Sequence, residues 1–373
     1  MNKPVKLANL LIIFGGRSCE HAVSVTSAKS LIAAIEGVSF QVQFIGISEQ
    51  GQWRWAEEGS IDSIVKHGIV DAKAGSRVLP DLNSPGRFLN TETGRHFPFK
   101  ADVIFPLLHG PYGEDGTLQG LFEMFGVPYV GCGVAASACG MDKLVSKRLF
   151  EKADLPQADY HEVRKESWLL DREKLLKNIQ LSLNYPVFVK PANMGSSVGI
   201  SKVIDFSGLE TAINLALEFD HKVLVEKGFE NMLEVECAVL GNDKPEASVV
   251  GEIHSGAEFY DYAAKYVEQT STIVIPATLS DAVTQKVREL AIRAFKAIDG
   301  AGLARVDFFV DVQSGQVWLN EINTLPGFTP ISMYPKLWEA SGLPFTALVV
   351  KLIDLAIARF EMKKSLRCSY GDL

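Results

Sequence analysis

Three apolar runs early in the chain, LANLLIIF, FQVQFIGI and ADVIFPLL, constrain the fold more than any other feature. Each is of strand length and nearly unbroken in apolar character, so each needs cover on both faces. A mostly parallel sheet flanked by helices provides that cover. Between the first two runs lies SVTSAKSLIAAIEG, helical in period and closed by Gly37. The third run leads into the loop HGPYGEDG and a further helix candidate, TLQGLFEMFG. This is the βα order of an α/β domain, whose functional loops lie at the C-terminal ends of strands.

The same runs exclude several classes. None approaches the roughly 18 apolar residues needed to span a bilayer. LANLLIIF ends in Gly-Gly and lacks the cleavage pattern of a signal peptide. A net charge of −8 with no Lys/Arg cluster argues against a nucleic-acid partner. The cysteines, Cys19, Cys132, Cys139, Cys237 and Cys368, are odd in number and share no metal-ligand spacing. Free thiols in a reducing compartment follow, which points to the cytoplasm. At 373 residues the chain has room for two or three domains of roughly 100–200 residues each.

Around Gly131 the pattern changes. ASACGMDKLVSKRLFEKADL reads as one helix, followed by ADYHEV, a helix over 171–182, the strand pair PVFVK and GISKV, a helix over 207–219, and VLVEK. LEVECAVLG, EASVVGEI, STIVIPA, GLARVDFFVD and QVWLNEIN then form a strand-rich block. A helix over 281–298, capped by Ser280, interrupts this block, and two helices end the chain. The divisions fall at 1–131, 132–225 and 226–373.

The strongest chemical signal is ARVDFFVD followed by VWLNEIN. Alternation puts Arg305, Asp307 and Phe309 on one face of a strand, and Glu321 and Asn323 on one face of the next. The turn QSG makes the two an antiparallel hairpin. Two carboxylates and an amide oxygen at one spot suit Mg²⁺, which keeps waters and phosphate oxygens as its other ligands. A solvated strand face would show the same alternation.

KPANMGSSVGISK places Lys190 at a strand end ahead of a Gly/Ser loop, yet no lysine follows its last glycine as a Walker A loop requires. Lys143 could join Lys190 against phosphates, with the amides of Gly195 to Gly199 as a nest; a surface lysine and a plain turn would read alike. VLVEKGFENMLEVE offers Glu226 and Glu234 to a nucleotide, or is a charged hairpin. FGGRSCEHAVS sets Glu20 where it can bind an ammonium or favour a helix dipole. His109 ends a strand, and Glu114 and Asp115 after it could be first-turn carboxylates. Gly131, Gly133 and Ala136 spell a Rossmann-type G-x-G-x-x-A. An NAD-dependent oxidoreductase built on it would leave Asp307, Glu321 and Asn323 without a role.

In order, FGGRSCEHAVS, HGPYGEDGTLQG, MDK, FVKPANMGSSVGISKV, VLVEK, FYDYAAKY, ARVD and NEINTLPGFT resemble the D-alanine–D-alanine ligases of the ATP-grasp fold, from about residue 6 to about 350. The resemblance implies an α/β (α+β) chain with an N-terminal parallel-sheet (pre-ATP-grasp) domain, a central ATP-grasp subdomain carrying the Gly/Ser flap, and a C-terminal subdomain with the metal site. It implies ATP as co-substrate, Mg²⁺ or Mn²⁺, D-alanine as substrate, a homodimer, and no nucleic-acid or membrane partner. D-Alanyl phosphate forms first, and the amine of a second D-alanine displaces phosphate, giving a peptidoglycan precursor.

Roles carry over by motif. Asp307, Glu321 and Asn323 match the metal ligands, and Lys143, Lys190, Ser197, Glu226 and Glu234 the ATP site, with Glu236 the alternative to Glu234. Glu20 matches the anchor of the first D-alanine's ammonium, with His109 beside it. Arg305 and the amide of Gly327 match the oxyanion donors, and Ser332 the hydroxyl at the second substrate's carboxylate. Lys265 and Tyr266 belong to a closing loop, in which Tyr266 would link with Glu20 and Ser196. Keeping that tyrosine favours the dipeptide over D-alanyl-D-lactate; a D-alanyl-D-lactate or D-alanyl-D-serine ligase of the same fold is the alternative.

Overall fold

The computed structural model describes residues 8–254, 272–329 and 331–367. Its first sheet has seven strands. Ala8–Gly15 lies at its heart, parallel to Phe40–Ile47 on one side and Val103–Pro106 on the other. Leu10 to Phe14 are all fully buried, as the unbroken apolar run requires. Alternation splits this strand between two cores. Leu10, Ile12 and Phe14 face the helix His21–Ala34 and the last helix, Phe345–Lys364. Leu11 and Ile13 face an aromatic cluster around Trp55, Phe88, Phe122 and Phe125.

Among the named strands of this sheet in the described residues, parallel pairing holds for those three, and Tyr129 adds an isolated parallel bridge to Ile104. Trp53–Trp55, Ser76–Pro80, Arg87–Asn90 and His96–Lys100 extend the sheet antiparallel, an addition the three apolar runs do not announce. The first helix ends at Ala34, before Gly37, which occupies a left-handed turn at φ 84°.

The segment read as one helix from Ala136 is two: Val134–Met141 and Lys143–Lys152. Asp142 separates them. Its backbone is extended, and its carboxylate accepts from the Leu144 and Val145 N–H groups at 3.1 Å each, capping the second helix. Lys222 pairs with the other oxygen of Asp142.

A four-stranded antiparallel sheet follows, ordered Tyr160–Arg164, Lys222–Lys227, Val187–Pro191 and Ser201–Val203. Val187, Val189, Val223 and Val225 point to a core beneath the helices Arg172–Ser182 and Leu209–Phe219. Phe188, Lys190 and Glu226 therefore point the other way.

The last sheet is antiparallel and five-stranded: Thr272–Val274, Glu246–His254, Leu233–Gly241, Gly302–Asp311 and Gln316–Asn323. Helix Asp281–Ala297, capped by the Ser280 side chain on Val283 N–H, covers Val235, Cys237, Val306 and Phe308 on one face. Ala136, Phe150 and Leu155 join this same core, so the helix pair around Asp142 packs on the third sheet. The opposite face carries Glu236, Arg305 and Asp307 at one end, while at the other end Ala238, Leu240 and Leu303 pack under Met333–Ala340 and Phe345–Lys364. Among the described residues no single helix is long and apolar enough to cross a membrane.

Candidate active site

The polar faces of the second and third sheets and the loops of the first enclose a cavity of about 980 Å³. Its lining contains every expected site residue that lies among the described ones: Glu20, His109, Lys143, Lys190, Ser196, Ser197, Glu226, Glu234, Arg305, Asp307, Glu321, Asn323, Gly327 and Ser332. Lys265 and Tyr266 lie outside the described residues.

The Gly/Ser loop is held at its base. Asn193 donates through its backbone N–H and its side-chain amide to Asp220 Oδ2, at 2.8 and 2.9 Å. Lys143 Nζ donates to the Met194 carbonyl at 2.7 Å. Ser196 and Ser197 both have left-handed backbone, at φ 50° and 58°, which turns the chain tightly at the tip. A Cβ on Gly195 would lie 3.2 Å from Glu20 Oε2, so glycine lets the loop come down against the first domain. The Ser196 hydroxyl is buried and has no hydrogen-bond partner among the described residues. It is an acceptor and donor waiting for a ligand or a neighbouring group.

Opposite the loop, Lys190 pairs with Glu226 Oε1, and Lys147 Nζ lies 3.0 Å from Glu226 Oε2. Burial alone would raise the Glu226 pKa, but the two ammonium groups prevail and hold it down at about 2. Burial likewise opposes charge on Lys190, yet Glu226 keeps its pKa above the ordinary lysine value. Lys143 goes the other way: burial lowers its pKa, and Glu321 at 3.9 Å only partly compensates.

The hairpin is antiparallel and its polar faces coincide, with Arg305 opposite Asn323 and Asp307 opposite Glu321 after a one-residue register shift between Asp307 and Phe308. Arg305 grips both oxygens of Asp307 at 2.7 Å, and its Nε is 2.8 Å from Glu236 Oε2. Asn323 donates to Asp307 Oδ2 at 3.0 Å. Its amide oxygen joins the carboxylates as a hard donor. That chemistry fits a small divalent cation with open positions for other oxygen ligands. Among the described residues no group of three His, Cys, Asp or Glu side chains is arranged to hold a metal ion.

The strand leads into NTLPGFT, where a Cβ on Gly327 would lie 2.8 Å from Ser332 Oγ. Glycine here keeps the backbone against that hydroxyl, which accepts from Thr329 N–H at 3.0 Å. His109 meets the same loop through Nδ1 and the Leu325 carbonyl, 3.1 Å apart. Burial lowers the His109 pKa, favouring the neutral ring.

Glu114, weighed earlier as a helix-turn carboxylate, lines the cavity and accepts from Gly110 N–H at 2.8 Å. Burial, followed by the charge of Glu20, raises its pKa to about 8. The folded state thus binds a proton that the unfolded chain releases near the ordinary value of 4.5. Metal-free protein should therefore lose stability as pH rises from about 4.5 to 8, by at most roughly 1.4 kcal/mol per pH unit from this group. Glu114→Gln should flatten that slope in urea unfolding measured across the window; an unchanged slope would contradict a raised Glu114.

Lys147 and Glu236 complete the charge network, and Lys147 escaped the sequence reading. Its spacing of four from Lys143 places both on one side of a helix, a pattern equally typical of a solvated face. Glu236 could be found from its spacing of two from Glu234 on a strand. The G-x-G-x-x-A stretch is used elsewhere. Gly131 packs against Gly302, its carbonyl accepts from Arg359, and Gly133 precedes the short helix Val134–Met141. None of its glycines lines the cavity, which removes the dinucleotide reading.

The family model for the D-ala D-ala ligase N-terminus matches residues 9–132, and that for the D-ala D-ala ligase C-terminus matches 149–354. The D-alanine–D-alanine ligase of Heliobacterium modesticaldum is 51% identical over 95% of this chain and 96% of its own length. That of Acetivibrio thermocellus is 50% identical over 94% and 96%. Among solved structures, the VanG D-Ala:D-Ser ligase from Enterococcus faecalis superposes with a TM-score of 0.83 at 38% identity, covering 94% of this chain and 100% of that one. The D-alanine–D-alanine ligase from Coxiella burnetii gives 0.80 at 33%, covering 96% and 97%.

Proposed function

The chain belongs to the D-alanine–D-alanine ligase family, and from that premise we propose how its own residues carry out the reaction. It is an ADP-forming ligase of the ATP-grasp fold that joins two D-alanines at the expense of ATP, supplying a peptidoglycan precursor. The convergence of residues from all three sheets on one cavity carries the assignment of roles.

In this reading the units are residues 1–131, 132–225 and 226–373, with the helix pair around Asp142 resting on the third. Lys143 and Lys190 bind the ATP phosphates beneath the Gly/Ser flap with Ser197. Glu226 and Glu234 bind the nucleoside. Asp307, Glu321 and Asn323 hold Mg²⁺ or Mn²⁺, which when bound neutralises phosphate charge. The hard-oxygen chemistry of these residues supports that choice. Glu20 holds the first D-alanine's ammonium, beside His109. The carboxylate oxygen of that D-alanine attacks the terminal phosphorus of ATP, the bond to ADP breaks, and D-alanyl phosphate results.

A second D-alanine, held at its carboxylate by Ser332 and bound also by Lys265 of the closing loop, then attacks the acyl carbon through its neutral amine. The carbonyl oxygen becomes an oxyanion, for which Arg305 and the Gly327 N–H are placed as donors. Collapse expels inorganic phosphate, the nitrogen loses its proton, and the dipeptide forms. Tyr266 links Glu20 and Ser196 over the closed site, and the unpartnered Ser196 hydroxyl supports such a link. The free cysteines and net charge of −8 support a cytoplasmic enzyme without a nucleic-acid or membrane partner, and the family supports a homodimer.

D-Serine at the second position is the reading favoured by the VanG structure, while the relatives at 51% and 50% favour D-alanine. Phosphate release with ATP and Mg²⁺ decides. Release with D-alanine alone and dipeptide in the product are expected. Release that requires added D-serine or D-lactate would overturn the choice of D-alanine as second substrate.

A further inference from the structure

Lys147 is a buried charge without a role in the mechanism above. It lies on the helix Lys143–Lys152, one turn beyond Lys143, and is 3% exposed. Its ammonium sits 3.0 Å from Glu226 Oε2 and 5.3 Å from the centre of the Tyr160 ring. It does not line the cavity, so it is a neighbour of the site's walls and not of a ligand. Lys190 does line the cavity and holds the other oxygen of Glu226, which is itself 5% exposed.

One buried carboxylate is thus shared by two ammonium groups of unequal freedom. If Lys190 were the sole cation on Glu226, drawing it towards phosphate would strand a buried negative charge. That is the costly way to break a buried pair. With Lys147 fixed on Oε2, Glu226 stays neutralised whatever Lys190 does. We propose that Lys147 is a positioning residue that neutralises Glu226 permanently and so frees Lys190 to move from Glu226 onto the phosphates of ATP. The inference rests on the assignment of Lys190 to those phosphates.

The test is equilibrium binding of ATP and of adenosine to the full chain and to K147M, E226Q, K147M/E226Q and K190M. In K147M, ATP should bind about tenfold more weakly while adenosine changes less than about twofold, a coupling of the size found between touching charges. In the E226Q background, adding K147M should change ATP affinity less than about twofold, because no carboxylate remains to retain Lys190. Unchanged ATP affinity in K147M overturns the inference, as do equal losses for ATP and adenosine or losses that multiply in the double variant. If K147M does not fold, K147Q takes its place, with the same expected and overturning outcomes for ATP and adenosine. Weakened ATP binding in K190M is expected. Weakening in K190M with none in K147M sinks this inference alone, whereas an unaffected K190M sinks the phosphate assignment as well.

Discussion

Replacing Arg305 with methionine is expected to lower kcat about 10³-fold, the upper range for loss of one oxyanion donor in a water-poor site. The loss should appear in kcat more than in the KM for ATP, since in the proposed mechanism the guanidinium serves a charge present only during amide formation. Arg305 also bridges Asp307 and Glu236, two partly or fully buried carboxylates. Its removal should therefore destabilise the fold by about 3–5 kcal/mol, the cost of leaving such charges uncompensated. The two effects separate in R305M/E236Q. There, urea unfolding should recover part of the lost stability, while phosphate release stays as slow as in R305M. A double variant that regains turnover would show that Arg305 acts only as a structural tie.

The second large effect falls on the proposed metal ligands. Glu321→Gln keeps the size of the side chain and one oxygen but removes the charge that faces Asp307 across the hairpin. kcat/KM should drop about 10²-fold, and half-maximal activity should need about tenfold more Mg²⁺, within the several kcal/mol that a divalent cation supplies to phosphoryl transfer. Chelation should abolish phosphate release by the unaltered enzyme, and Mg²⁺ should restore it. A Mg²⁺ titration of E321Q that overlays the parent curve would remove Glu321 from the metal set. Lys143, 3.9 Å from Glu321, gives a further handle. Losing the carboxylate charge removes the contribution that holds the lysine's pKa up against burial.

Strand alternation made the polar residues of each hairpin strand legible, Arg305 with Asp307 and Glu321 with Asn323, but not their pairing: the turn alone would set Asp307 opposite Asn320, and a one-residue shift between Asp307 and Phe308 brings Glu321 there instead. Glu226 and Lys190 were legible from their places near strand ends, each following a core valine, Val225 and Val189. The contribution of Lys147 was not legible, because no local pattern tells a helix surface in water from one pressed against a sheet. The break at Asp142 was written in the sequence as an N-cap residue but lay inside a continuous helical period. The antiparallel strands between Trp53 and Lys100 are short and half-exposed, and their pairing depends on turns more than on apolar runs. Residues 265 and 266 rest on the family motif alone.

The face of the first sheet bearing Leu10, Ile12 and Phe14 shares its core with Leu348, Val349 and Leu352 of the final helix. On a ribosome the last strand of this sheet, Val103–Pro106, emerges about 240 residues (345 − 106) before the helix that completes its cover. At roughly 5–20 residues per second, the nascent chain must carry an incompletely covered apolar surface for about 12 to 48 s. The strand Ala8–Gly15 and the helix Phe345–Lys364 can reach their joint core only once that helix has left the ribosome. Chains terminated before Phe345 should accordingly be captured by holding chaperones, even though their cavity residues have all been made.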